Sequence, residues 1–173
     1  FARRLLADYV YGNPRIEAAI KHVLRWIPNR TCRVLDIGCG IGWSSHEIKR
    51  HHPNATVLGL DLSKRMIDIA QQLFSTQGLQ FVQSDIIHND ALSSSFDVIV
   101  MLDVYEHIAK SNRRNLHEAL AAVLDPAGSV LLSCPTVAHQ QRLRTYNPGG
   151  LQPVDEDISR EVLEELARDL DAK

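Results

Sequence analysis

Two patterns of apolar residues alternate along the chain. Short runs with the length and branched side chains of buried strands occupy residues 34–37, 56–60, 79–83, 96–101 and 129–133. Apolar residues that recur every three or four positions predict amphipathic helices over residues 14–27, 43–50, 64–77, 112–124 and 158–170. Asn13 and Ser63 are suitable N-caps for the first and third of these helices, and Gly78 suits the end of the third.

Strands that alternate with helices in this way predict an α/β fold. We expect a doubly wound, mostly parallel, Rossmann-like sheet with helices on both faces. Residues 125–128 are predicted to form a turn, and residues 134–157, with three prolines and two adjacent glycines, a long loop. Ligands of such sheets bind beyond the carboxyl ends of the strands. The residues that follow each strand are therefore the first candidates for a site.

Composition narrows the classes of partner. Lys and Arg total 19 against 21 Asp and Glu, with a formal net charge of −2 and no block of like charges, so we predict no nucleic-acid partner. No apolar run approaches the roughly 18–20 residues of a membrane span. The three cysteines include no Cys-x-x-Cys pair. A reduced, cytoplasmic location without a membrane partner is the expectation.

The most informative stretch is the strand at residues 34–37, which runs into a glycine-rich turn at Gly38 and Gly40. Such a turn exposes backbone N–H groups to a nucleotide-like cofactor. The dinucleotide fingerprint Gly-x-Gly-x-x-Gly requires a third glycine, and this chain has Trp43 there. Asp36 would also repel a pyrophosphate, whereas S-adenosylmethionine (SAM) carries a sulfonium and an ammonium that an acid can accommodate. The turn therefore favours SAM over NAD.

The segment 34–40, Val-Leu-Asp-Ile-Gly-Cys-Gly, resembles motif I of class I SAM-dependent methyltransferases. Further motifs follow in the order of that family, at Asp61, residues 84–86, residues 96–108 and residues 126–133. The resemblance covers residues 32–135 and implies SAM as cofactor, S-adenosyl-L-homocysteine as product, and no metal ion.

The resemblance also implies individual roles. Asp61 would accept hydrogen bonds from both ribose hydroxyls, and Asp85 would accept one from the adenine amine. Leu62 and Ile86 would sandwich the adenine ring. The complete set assigned to the cofactor is Asp36, Gly38, Cys39, Gly40, Asp61, Leu62, Ser84, Asp85, Ile86 and Leu102.

Further residues are candidates for catalysis and for substrate contact. His107 and Asp103 follow the fourth strand and are candidates for a base, because methylation of a hydroxyl requires removal of its proton. A cofactor-side or structural task for His107 is the alternative. Substrate contacts are expected from Tyr11, His139 and Tyr146. The remaining histidines are predicted to lie at the surface: His22, His46, His51, His52, His88 and His117.

The sequence thus predicts one methyltransferase domain over residues 1–173 that acts on a small molecule, with an oxygen of a metabolite as the first expectation. N- and C-methylation stay open, and a non-catalytic SAM-binding module or an NAD-type oxidoreductase are the alternatives. We divide the chain into a cap helix (1–30), a cofactor-binding core (31–135) and a loop with a terminal helix (136–173). Two further strands that the family has are expected to be missing, as in a truncated domain.

Overall fold

The computed structural model describes residues 2–88 and 95–171. The helices and strands of this part are, in chain order, α1 (Ala2–Tyr11), α2 (Pro14–Leu24), β1 (Arg33–Ile37), α3 (Trp43–His51), β2 (Thr56–Asp61), α4 (Lys64–Phe74), β3 (Leu79–Gln83), β4 (Phe96–Leu102), α5 (Arg113–Val123), β5 (Leu124–Ser133), α6 (Val137–Tyr146) and α7 (Arg160–Asp169). Short 3-10 turns lie at Ile86–His88, Tyr105–His107, Lys110–Asn112 and Pro148–Gly150.

The strands form one sheet in the order β3-β2-β1-β4-β5, and all neighbours are parallel. The predicted doubly wound fold is therefore confirmed, with five strands in the described part of the chain. The crossover from β3 back to β4 on the other side of β1 reverses the winding direction. Such a reversal opens a crevice at the carboxyl ends of the strands next to it, where ligands of these folds bind.

The alternating direction of the side chains along β1 shows how both faces of the sheet are covered. Successive side chains of a strand point to opposite faces. Val34 packs in a cluster with residues of α2, α3 and α4, while Leu35 and Ile37 pack in a second cluster with residues of α5 and α7. Asp36 points to the same face as Val34, and it meets two serines at the start of α3.

The N-terminus differs from the prediction. Residues Ala2–Tyr11 form a helix, α1, which the sequence analysis did not predict. Its apolar side chains at Ala2, Leu5 and Tyr9 recur with helical spacing and pack on Ile41 and Met66. Tyr11 therefore ends a helix instead of preceding the first one.

The predicted long loop at 134–157 is also wrong in part. Its first half contains the ten-residue helix α6. Thr136 is the N-cap and accepts a hydrogen bond from the backbone N–H of His139 at 3.2 Å. In α6 only Gln140 is buried, so the helix has no apolar stripe from which it could have been recognised.

Two boundaries are corrected as well. Residues 125–128 belong to β5, whose pairing with β4 is irregular there, because Phe96 pairs with Leu124 and Val98 with Ser129. Helix α4 ends at Phe74, and Gly78 lies in the turn that leads into β3.

No helix of the described residues has the length and apolar composition needed to cross a bilayer.

Candidate functional site

The glycine-rich turn at the end of β1 is fixed to the end of β2. The backbone N–H of Cys39 donates to the carbonyl oxygen of Leu60 at 2.9 Å, and that of Gly42 donates to the carbonyl of Cys39 at 2.9 Å. A Cβ atom on Gly38 would overlap the side chain of Val104. Since Val104 follows β4, only glycine lets the ends of β1 and β4 approach this closely.

Asp61 is held at the same edge by the turn. Its Oδ2 accepts from the N–H of Gly40 at 2.9 Å, and its Oδ1 accepts from the N–H of Ser63 at 2.8 Å. The side chain is half-buried. A carboxylate oxygen can accept more than one hydrogen bond, so each oxygen keeps capacity for one further donor. Two neighbouring hydroxyl groups of a ribose match this capacity.

Asp36 lies beneath the turn. It is 1% exposed, and its Oδ2 accepts hydrogen bonds from Ser44 at 2.6 Å and Ser45 at 2.5 Å. Burial raises the pKa of this carboxyl to about 6, although the two serine hydrogen bonds act in the opposite direction. Asp36 thus connects the end of β1 to the start of α3 and holds a carboxyl group under the glycines.

The predicted adenine contacts lie beside β2 and β3. Leu62 is 67% exposed, whereas Ile86 is buried. Asp85 accepts a hydrogen bond from the N–H of Ile87 at 2.9 Å and pairs with Nδ1 of His88 at 2.8 Å, so it caps the short turn Ile86–His88. The backbone N–H of Ser84 donates to the carbonyl oxygen of Asp61 at 3.1 Å, which ties this segment to the end of β2.

Cys39 and Leu102 contribute packing to the same edge. Cys39 is buried, and burial raises the pKa of its thiol far above the usual range. A thiol in this state has little thiolate character, so Cys39 acts here as a small packing residue and not as a nucleophile. Leu102 is half-buried at the end of β4 and packs against the cluster around Val34.

The two candidate bases lie beyond β4. Asp103 has a left-handed backbone with φ of 54°, and its N–H donates to the carbonyl of Ser133 at 2.9 Å. Its carboxylate forms an ion pair with Arg15 of α2. His107 follows in the turn Tyr105–His107. Both candidates therefore follow the carboxyl end of β4, and their role as a base stays a prediction.

Both ring nitrogens of His107 have partners. Nδ1 is 2.9 Å from the carbonyl oxygen of Val154, and Nε2 is 2.9 Å from Nε2 of Gln152. The carbonyl identifies Nδ1 as the protonated nitrogen, so Nε2 accepts from the Gln152 amide. The neighbouring backbone adds a further contact, because the N–H of Glu156 donates to the carbonyl of Glu106 at 2.9 Å. His107 thus fastens residues 152–156 onto the end of β4.

The three predicted substrate residues lie at the surface of two helices. Tyr11 is 87% exposed at the end of α1, and Tyr146 is 80% exposed at the end of α6. His139 is exposed in the first turn of α6. Their contact with a substrate stays a prediction.

Sequence reasoning missed several residues at this edge. Arg15, Ser44 and Ser45 were not predicted, and Glu106 was given no role. His117, predicted to lie at the surface, is buried between the hydroxyl of Tyr105, 2.8 Å from Nε2, and the carboxylate of Asp169, 2.6 Å from Nδ1. In residues 2–88 and 95–171 no group of three His, Cys, Asp or Glu side chains is placed to hold a metal ion.

Similarity to known proteins agrees with this geometry. A family model described as "Methyltransferase domain" matches residues 34–128. The malonyl-[acyl-carrier protein] O-methyltransferase of Halalkalibacterium halodurans is 35% identical over 104 residues, which are 58% of this chain and 38% of that enzyme. The chain therefore spans well under half the length of that relative.

Two solved structures are similar over much of the chain. A TehB-like SAM-dependent methyltransferase from Corynebacterium glutamicum has a TM-score of 0.74 at 22% identity, covering 97% of this chain and 79% of that chain. PKMT2 from Rickettsia typhi, in complex with AdoHcy, has a TM-score of 0.60 at 29% identity, covering 68% of this chain and 24% of that chain. The family match favours the methyltransferase prediction over a dinucleotide oxidoreductase. Together with the turn at residues 36–42, it means that this chain belongs to the family of class I SAM-dependent methyltransferase domains.

Proposed function

We propose that the protein binds SAM across the carboxyl ends of β1, β2 and β3 and transfers its methyl group to an oxygen of a small-molecule acceptor near β4 and β5. This proposal rests on one observation: the backbone N–H groups of Gly40 and Ser63 hold the Asp61 carboxylate beside the glycine-rich turn. The PKMT2 complex with AdoHcy supports the choice of cofactor. The O-methyltransferase relative supports an oxygen acceptor.

The residues at this edge fit SAM in charge and shape. Asp61 is oriented to receive the ribose hydroxyls, and the exposed side chain of Leu62 offers one apolar face to adenine. The buried carboxyl of Asp36 lies under the turn on which the cationic methionine end would rest. An anionic pyrophosphate at this turn would meet Asp36 and Asp61 together, which is unfavourable. We propose that residues 1–30, 31–135 and 136–173 together form one functional domain around this edge.

The chain's own residues align the reactants and handle a proton. When bound, SAM supplies the methyl group: the acceptor oxygen bonds to the methyl carbon as the bond from that carbon to sulfur breaks, leaving S-adenosyl-L-homocysteine. The proton of an acceptor hydroxyl passes to a base, and Asp103 and His107 are the candidates near β4. His107 can accept it at Nε2 only after the amide of Gln152 has moved away. The ion pair with Arg15 engages Oδ2 of Asp103, so this oxygen would accept a proton only when Arg15 has moved.

Asp61→Ala tests the cofactor site. We expect SAM affinity to fall by about tenfold or more, because two hydrogen bonds to a carboxylate are lost. Asp68→Ala is the matched control, since Asp68 lies on the neighbouring helix α4 and pairs with Lys64 at the surface. Calorimetric titration with SAM and with NAD measures both. Unchanged SAM affinity in Asp61→Ala, or binding of NAD by the unmodified protein, would contradict the proposal.

His107→Ala and a search for the acceptor test the transfer. Isotopically labelled SAM incubated with metabolite pools should give a labelled small molecule. If His107 is the base, His107→Ala slows this labelling while SAM affinity stays within about twofold. Full turnover in the variant would remove His107 as base, and SAM binding without labelling of any pool would favour a non-catalytic SAM-binding module.

A further inference from the structure

Arg113 is the first residue of helix α5, and its side chain is buried. The residue is 6% exposed, and its guanidinium lies over the ring of Tyr105, with Cζ 5.6 Å from the ring centroid. Its Nε and Nη2 are buried and form no hydrogen bond. A guanidinium keeps its positive charge in proteins, and buried charges are normally paired. The contact with the aromatic ring leaves both N–H donors unsatisfied.

The two unsatisfied nitrogens of Arg113 lie on one edge of the guanidinium. The N–H bonds of Nε and Nη2 are parallel there, and this edge can bind two oxygens of a carboxylate or phosphate side by side. The polar groups around Tyr105 are already engaged. The Tyr105 hydroxyl is 2.8 Å from Nε2 of His117, and the carboxylate of Asp169 is 2.6 Å from Nδ1 of the same ring. The edge of the guanidinium therefore lacks the ligand that its geometry fits.

The start of α5 is positively charged and has no acid to balance it. Its first turn contains no Asp or Glu, and the N-cap Asn112 makes no side-chain hydrogen bond to the helix. Arg114 extends along the surface to Glu118, with 3.0 Å between Nε and Oε1. Because the N-terminal end of a helix is itself partially positive, it favours a bound anion and disfavours the added charge of Arg113. The helix start and the buried guanidinium thus favour the same kind of ligand.

We propose that the start of α5 is a binding site for an oxyanion, a carboxylate or phosphate group that Nε and Nη2 of Arg113 bind side by side. The site follows the turn after β4, on the face of the sheet that α5 and α7 cover, and it shares no residue with the proposed SAM site. The bound oxyanion receives two charge-assisted hydrogen bonds and removes the cost of a buried, unpaired charge. It reaches the buried nitrogens when side chains of the exposed residues 110–112 and Arg114 move aside.

One carboxylate of this chain is an alternative partner for Arg113. Glu165 precedes Asp169 by one turn of α7, just as Arg113 precedes His117 by one turn of α5, and Asp169 and His117 are paired. Glu165 is nevertheless exposed and forms no ion pair with Arg113, whose Nε and Nη2 stay unpaired. An oxyanion from solution therefore does not have to displace an acid of the protein. Glu165→Gln tests this alternative.

Inorganic phosphate, titrated into isotope-labelled protein, tests the site, with the NMR signal of the Arg113 Nε–H group as the readout. Arg113→Lys lacks this group and so assigns the signal. We expect the signal to shift and to saturate with phosphate, and acetate should act in the same way through its carboxylate. Chloride at the same ionic strength should leave the signal unchanged. Absence of a response to both oxyanions would overturn the inference.

Arg113→Met and Arg114→Met form a matched pair of variants at the same helix end. In calorimetric titrations, Arg113→Met should weaken phosphate binding by about tenfold or more, because two charge-assisted hydrogen bonds are lost. Arg114→Met removes an exposed charge and should change the affinity by about twofold at most. Equal losses in both variants would overturn the inference, because phosphate would then respond only to the general positive charge. If Arg113→Met does not fold, the NMR titration of the unmodified protein still decides.

Two further titrations complete the test. A response of the Arg113 signal to phosphate only in Glu165→Gln would overturn the inference, because a carboxylate of the chain would then neutralise the guanidinium. Phosphate should bind both with and without SAM, so failure of SAM binding would contradict the proposed function and not this site. Inhibition of metabolite labelling by phosphate would assign the oxyanion to the methyl acceptor, and unchanged labelling would assign it to a separate ligand; both results support the site.

Discussion

Two buried carboxyl groups, those of Asp36 and Glu106, make the stability of the folded protein depend on pH. Burial raises the pKa of Asp36 to about 6 and that of Glu106 to about 7. The folded protein therefore binds these protons more tightly than the unfolded chain, in which both groups have ordinary pKa values. The stabilisation that results is complete at low pH, and it is lost as the pH rises through the folded-state pKa values.

Glu106→Gln should remove the part of this dependence that Glu106 causes. The amide resembles the protonated carboxyl, so the variant avoids the cost of ionising a buried group at high pH. We expect the free energy of unfolding to increase by on the order of 2 kcal/mol at pH 8 and to change little at pH 5. Urea denaturation at the two pH values measures the difference. A change of equal size at both would mean that ionisation of Glu106 does not matter.

Gly42→Ala should strongly destabilise the protein. Gly42 has φ of +88°, and an added Cβ would lie 2.8 Å from the ring of Phe81 and 3.0 Å from Cβ of Ala70. Backbone strain and overpacking together predict a loss of about 2–4 kcal/mol. Gly149→Ala is the control, because a Cβ there meets no atom within 4 Å. Thermal melts of both variants compare the effects, and equal stability of the two would refute this prediction.

The sequence could predict those site residues whose arrangement is local. The turn around Gly38, the acid before it and Asp61 after β2 follow from strand ends and spacing. The contact between Arg15 and Asp103 joins residues 88 positions apart, and the contact between His107 and Gln152 joins residues 45 positions apart. Such contacts depend on how helices and loops pack over the edge of the sheet, and no sequence motif indicates them.

The core helices were predicted from their apolar stripes, α6 has no such stripe, and α1 was missed although its apolar residues have helical spacing. The core helices α3, α4 and α5 agree with the prediction to within a few residues because one face of each is buried. Helix α6 depends on its N-cap and on polar contacts instead. Arg144, for example, binds the carboxylate of Asp157 at 2.8 Å and the carbonyl of Asp155 at 2.9 Å. Long-range polar contacts of this kind leave no periodicity in the sequence.

Helices α5 and α7 are joined to the turn after β4 by a chain of polar side chains that is buried at Tyr105 and His117. The hydroxyl of Tyr105 donates to Nε2 of His117, whose Nδ1 faces the carboxylate of Asp169. Tyr105→Phe would leave Nε2 buried without a donor, and we expect a loss of about 1–2 kcal/mol. Tyr146→Phe is the control, since this residue is exposed. Urea denaturation tests the prediction, and an equal effect of both changes would contradict it.

For the whole molecule, the alternation of strands and helices was sufficient to predict the architecture. Each strand is flanked by helices that cover both faces, and only one handedness of crossover is common, so few arrangements were possible. A cap helix was expected within residues 1–30, but helix α1 and its contacts were not predicted. Helix α1 contacts the body through α3 and α4, where Tyr9 packs edge-on against Trp43 and Phe74 with ring centroids 5.5 Å and 5.3 Å apart.

Tyr9→Ala should loosen α1 from the rest of the molecule. Loss of a half-buried aromatic side chain predicts a cost of about 1–3 kcal/mol, borne mostly by the attachment of α1. Trypsin should then cut faster after Arg3 and Arg4. Tyr11→Ala, which changes a neighbouring tyrosine that is exposed, should leave the cutting rate unchanged. Resistance of Tyr9→Ala to trypsin, at the level of the unmodified protein, would show that α1 is held by other contacts.

Trp43 stands where a dinucleotide-binding protein would have its third glycine, and it is also the ring on which Tyr9 rests. Replacing Trp43 with glycine to admit NAD would therefore also remove one of the two rings on which Tyr9 packs, Phe74 being the other. An exchange of the nucleotide cofactor at this position would thus weaken the packing of the N-terminal helix. The indole that occupies the place of a third glycine is thus also part of the surface that holds the first helix.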